Sequence, residues 1–254
     1  MQQFILSLIT VIFIGGIAGY LGSLMLTKRM ALVAGPIGHL ALPGVALALI
    51  YGFGIFYGAL LSIGAGAFII WIFSLKSKIP MEALTAIVFA SGVALGFLFL
   101  PLDHAEEALI GNISKITLFD TALAVFLSVI VFFIIKKIYN KIILSEISSD
   151  LALSEGINVK KYNLIYLIAI AVVAAMEVKI VGILLTAALV AIPAATSKNI
   201  SNNLSQYSII ALIFGAVSSM VGLLLHKIIG LPAGPLIILT SFVLFLISLM
   251  GVKK

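Results

Sequence analysis

A chain of 254 residues that is 63% hydrophobic and only 9% charged, with a mean hydropathy of +1.33, is too apolar for a water-soluble domain, where about a quarter of residues are charged. It contains no cysteine, which excludes disulfides, thiolate metal sites and cysteine nucleophiles together. A net charge of +6 would suit an acidic partner such as nucleic acid, but its placement along the chain reports membrane orientation instead, and no nucleic-acid partner is expected.

The reading is an all-α, polytopic membrane bundle forming a single transmembrane domain over residues 1–254. A hydrocarbon core of about 30 Å takes about 20 apolar residues per helix, so the length holds eight or nine spans and no soluble catalytic domain. The first run, 3–26, carries Gly15, Gly16, Gly19 and Gly22, small residues that let helices approach closely in lipid. It has no basic start and runs long, so a span rather than a cleaved signal is expected. After Lys28 and Arg29 comes MALVAGPIGHLALPG, residues 30–44. Gly35, Pro36 and Gly38 precede His39 there, so the backbone turns or leaves room for close approach. The second run, 37–51, is short and interrupted by Pro43 and Gly44. The third covers 55–75 and the fourth 82–100.

A polar connection, 101–115, leads to the fifth run, 118–135, and then to the longest polar stretch, 136–161. The sixth run, 162–176, and the seventh, 180–195, are separated only by Glu177, Val178 and Lys179, which reads as a turn. These two runs form either a hairpin or broken, re-entrant segments, and the seventh contains Pro193. The eighth run is 208–225 and the ninth 235–252. With the N-terminus outside and one crossing per run, every Lys and Arg falls inside except Lys115, Lys179 and Lys227. That bias is the positive-inside pattern.

Within the long cytoplasmic stretch, residues 147–155 read as a short helix. Ser148 or Ser149 caps it, Asp150 lies in its first turn and Gly156 stops it. It is either an interfacial loop helix or a docking knob for a soluble partner. Candidate metal-path groups are few. His39 lies inside an apolar run, where an ionisable side chain is costly and hence a functional candidate. Glu177 is expected at the outer mouth, or neutralised by Lys179. Asp103, His104, Glu106 and Glu107 cluster on the outer side, either as cation-attracting ligands or as a solvated loop. His226 reads as interfacial.

Several blocks together resemble one family. GSLMLTKRMALVAGPIGHLALPGVAL, residues 22–47, is similar to the segment GSxxVxRRMALIGDALSHAVLPGVAL of the permeases of ABC-type zinc, manganese and iron importers. VGILLTAALVAIPAATS, residues 181–197, and LPAGPLIIL, residues 231–239, match two further family blocks. SSDLALSEG resembles the family's coupling helix, with Asp150, Ala152 and Gly156 at matching positions beside Ser148 and Glu155. Glu82 stands where members often carry an acid.

The resemblance implies the architecture of the type II importers, a homodimer in a prokaryotic cytoplasmic membrane, and a divalent metal ion as cargo with no bound cofactor. It also implies ATPase subunits docked on the coupling helices and an external metal-binding protein that delivers the ion. No G-x-x-x-x-G-K-[ST] occurs in the chain, so ATP hydrolysis belongs to a partner and this chain is not an enzyme. A permease for a siderophore or corrinoid chelate, and an ATP-independent transporter or channel, are the alternatives. The family pairs an Asp and a His one helical turn apart, on one face, a donor set that suits such ions. Here the Asp position is Gly35. Either another carboxylate supplies the charge, or the substrate differs, or the ion passes with its water while His39 acts as a gate.

Overall fold

The computed structural model describes residues 2–28, 30, 34–99, 109, 111, 113 and 116–250. These form eleven α-helices and no strand: α1 (Gln2–Thr27), α2 (Ala34–His39), α3 (Ala41–Tyr51), α4 (Ile55–Lys76), α5 (Met81–Phe99), α6 (Leu118–Ile147), α7 (Ser149–Ser154), α8 (Val159–Val181), α9 (Thr186–Ile200), α10 (Leu204–Ile229) and α11 (Ala233–Leu249). In hydrocarbon no water satisfies the backbone, so an apolar run that crosses must bond internally as helix. Among the described residues the nine apolar runs are helical, with breaks at Leu40 and residues 182–185, and six of the helices are long and apolar enough to cross a membrane alone. The segments over 35–51, α9 and α11 are shorter.

Polar caps mark where helices leave the apolar zone. Thr117 and Asp120 form a reciprocal capping box at the start of α6. Asn158 and Asn203 accept from Lys161 N and Gln206 N at the starts of α8 and α10, each satisfying a donor the helix leaves open.

Three expectations are corrected. The fifth run does not end at residue 135, because α6 continues through Lys136, Lys137 and Lys141 to Ile147. Lysine is a good helix former, and long basic side chains extend away from an apolar surface. Glu177, Val178 and Lys179 are not a turn: α8 runs through all three to Val181, and the break falls at residues 182–185. In the second run the interruption lies at Leu40, one turn before Pro43. Proline has no N–H for the carbonyl four residues earlier, here that of His39, and its ring crowds that carbonyl. Pro43 itself fits the first turn of α3.

Helix α1 is the hub, packed on α6, α8, α9 and α10. A side chain added at Gly15, Gly19 or Gly22 would overlap Gly215 and Ser219, Ala211, or Val190 respectively, so the small residues do serve close packing.

The two ends of the bundle differ in chemistry. At one end Lys28 Nζ lies 3.0 Å from Asn163 Oδ1 and 3.7 Å from Glu146 Oε2, over the ring of Tyr166. Burial pulls this ammonium below its ordinary value, and the Glu146 carboxylate opposes that shift. Lys141 bonds Tyr162 at the same end, and Trp71 donates to the Lys160 carbonyl. At the other end Lys179 pairs with Asp120 at 2.7 Å and Lys227 sits over Phe4. Lys179 and Lys227 thus share the N-terminal end, as the orientation from basic residues requires.

Asp120 both caps α6 and binds Lys179. Asp120→Ala is expected to lower stability by about 1–2 kcal/mol, chiefly through the cap, since an ion pair at a partly exposed site adds little. The thermal midpoint of the purified permease reads this. No change would mean the capping box is not formed in lipid.

Candidate functional site

His39 is the last residue of α2 and is half-buried. Its Nδ1 lies 2.8 Å from the Gly35 carbonyl oxygen. A carbonyl only accepts, so Nδ1 donates and, in the neutral ring, Nε2 is the nitrogen with the lone pair, the arrangement of an imidazole metal ligand held by its other nitrogen. Phe89 of α5 meets the ring edge-on at 5.6 Å between centroids, which fixes its plane from a second helix.

The glycines around His39 have separate uses. A side chain at Gly38 would overlap the hydroxyl of Thr186, so glycine is what lets α2 close onto the first turn of α9. Gly35 is less confined: an added Cβ would reach ordinary contact with Ala187 at 3.4 Å. Pro36 occupies the first turn of α2, where its missing N–H costs nothing. At the break, Ser62 of α4 donates to the Leu40 carbonyl at 2.6 Å, supplying a partner where the helix is interrupted. Gly44 abuts Gly58, backbone to backbone. Pro193 lies inside α9, where it denies a donor to the Leu189 carbonyl.

Glu177 is placed differently from expectation. It lies within α8, about one turn before its end, and it has no solvent exposure. Lys179 does not neutralise it, because Lys179 is engaged by Asp120. Among the described residues neither Glu177 oxygen has a hydrogen-bond partner. Asp103, His104, Glu106 and Glu107 lie outside the described residues. His226 bonds the Leu231 carbonyl at 2.6 Å, a local tie at the end of α10. Among the described residues no group of three His, Asp or Glu side chains could hold an ion.

The short helix α7 matches its sequence signals closely. Ser148 caps α7, its hydroxyl accepting from Leu151 N at 3.2 Å. Asp150 lies in the first turn and Glu155 at the C-cap. Gly156 follows with φ +71°, the left-handed conformation that favours glycine, while Ile157 N bonds the Ala152 carbonyl to close the turn. Ala152 is fully buried, whereas Ile147, Leu151 and Leu153 are exposed. One residue anchors the helix, and its two leucines face outward beside Ile147 at the end of α6.

The described residues missed in the sequence are Asp120 and Ser62. Thr117 three residues before Asp120 is a capping signature that could have found the first. Nothing local signals the second.

Comparison with known proteins agrees with this architecture. The family model described as the ABC 3 transport family matches residues 1–252. The chain is 31% identical to the manganese import system permease protein ScaB of Streptococcus parasanguinis, over 95% of this chain and 88% of that protein. It is 29% identical to the manganese transport system membrane protein MntC of Listeria monocytogenes, over 98% and 90%. With the high-affinity zinc uptake system membrane protein ZnuB of Buchnera aphidicola it shares 26%, over 91% of each. Among solved structures, a chain of PsaBC from Streptococcus pneumoniae in complex with Fab superposes with a TM-score of 0.82 at 28% identity, covering 95% of this chain and 89% of that one. A metal-chelate type ABC transporter in an inward-facing conformation has the same fold, with a TM-score of 0.78 at 17% identity, covering 96% and 84%. The chain belongs to the ABC 3 transport family, whose members include the permeases of manganese and zinc importers, and is a multi-pass membrane permease rather than an ATPase.

Proposed function

We propose that this permease carries manganese or zinc ions inward past His39, driven by an ATPase subunit that docks on α7. The observation that supports the cargo most directly is His39 itself. It is a half-buried imidazole at a helix break, with Nδ1 tied to Gly35 so that Nε2 is the nitrogen free to ligate, in a chain that aligns over 98% of its length with a manganese permease and 91% with a zinc permease. Imidazole nitrogen binds either ion, and a site with few protein ligands binds weakly enough to release.

Docking at α7 is supported by its two exposed leucines, Leu151 and Leu153, on a helix held by Ala152, with Ile147 exposed at the adjoining end of α6. A second permease copy and an external ion-binding protein complete the assembly in this reading. His39→Ala is expected to cut ATP-driven uptake of radiolabelled manganese and zinc by roughly tenfold or more in proteoliposomes holding the permease with its ATPase. Equal uptake of both ions by variant and wild type would remove His39 from the path.

A further inference from the structure

Among the described residues only two charged side chains are buried, Lys28 and Glu177. Lys28 is surrounded by a carboxylate, an amide oxygen and an aromatic face. Glu177 has nothing comparable: it is fully enclosed four residues before the end of α8, and no donor reaches either oxygen. Its nearest basic neighbour in sequence, Lys179, is two residues on, which turns it to the far side of the helix, and it is committed to Asp120. A carboxylate enclosed without a donor is costly, and packing alone asks only for an apolar side chain of that size.

The element that carries His39 lies beside this helix. Helix α2 packs on α8 and on the first turn of α9, where Gly38 meets Thr186 and Gly35 meets Ala187. His39 therefore sits on a segment pressed against the helix that bears the unpaired acid and against the turn that follows it. One helical turn before His39, position 35 has no side chain to offer.

We infer that Glu177 is a cation-ligating residue of the ion path, supplying from α8 the carboxylate that position 35 lacks on α2. The inference rests on the metal-permease reading above. Carboxylate oxygen and imidazole nitrogen together suit manganese and zinc, and one negative charge offsets part of the dehydration of a divalent ion. The ion in turn gives the buried oxygens the partner they lack.

The test uses the permease with its ATPase subunit in lipid, comparing wild type, Glu177→Gln and Glu177→Gln with Gly35→Asp. Manganese binding is followed by the loss of the free-ion paramagnetic resonance signal, and ATP-driven uptake is followed in parallel. Glu177→Gln keeps the side-chain size and is expected to weaken manganese binding by about tenfold or more, and aspartate at position 35 to restore part of it. Manganese should also raise the thermal midpoint of the wild type and not that of Glu177→Met, a readout that serves if the glutamine variant assembles poorly. Binding, uptake and manganese-dependent stabilisation equal to wild type in these variants would overturn this inference alone. A wild-type complex that neither binds nor moves manganese or zinc would overturn the cargo reading and this inference with it.

Discussion

Gly44→Val is expected to destabilise the permease by about 3 kcal/mol and to abolish ion uptake. Gly44 on α3 and Gly58 on α4 meet through their backbones, so a side chain on either glycine would overlap the other's carbonyl. Backbone atoms cannot rotate aside as a flexible side chain can, and the two helices must part. Parting them would draw Ser62 away from the Leu40 carbonyl, loosening the break beside His39. The thermal midpoint should fall by roughly 5–10 °C. Gly64→Ala is the matched control, since nothing lies within 4 Å of that glycine, and it should leave midpoint and uptake as they are. A stable, active Gly44→Val protein would show that α3 and α4 do not touch in lipid as described.

Leu151→Asp combined with Leu153→Asp is expected to weaken association with the ATPase by roughly a hundredfold or more, leaving the permease folded. The two leucines are 49% and 63% exposed, so they contribute little to the fold, and carboxylates there would remain solvated. Ala152 between them is fully buried and keeps α7 in place. Pull-down of the purified ATPase with the double variant measures the loss, and the thermal midpoint checks that α7 has not simply melted. Unchanged association would move the docking surface away from α7.

Hydropathy reveals the spans because lipid allows a crossing chain so few conformations. The short helix was equally legible, since Ser148, Asp150 and Gly156 are local signals that need no partner. The break beside His39 was half legible. Pro43 announced it, but the disturbance falls where the missing bond would have ended, at the carbonyl of His39. The extension of α6 past residue 135 is not legible in hydropathy, because the lysines there signal water, and water does not prevent a helix. What sequence could not show was pairing across helices. Lys179 stands two residues from Glu177 in the chain yet bonds Asp120, and that choice is made by the packing of α8 on α6. The same packing leaves Glu177 enclosed and alone, which no run of letters signals.

The unbroken length of α6 has a mechanical consequence. Its 30 residues make a rod about 45 Å long at 1.5 Å per residue, with α7 one residue beyond its C-terminal end. Near its N-terminal end it is clasped to α8 through Asp120 and Lys179. A stiff lever of that length needs little input: a tilt of about 5° carries the far end about 4 Å. A displacement of α7 would be carried along the same rod to the end of α8 near Glu177.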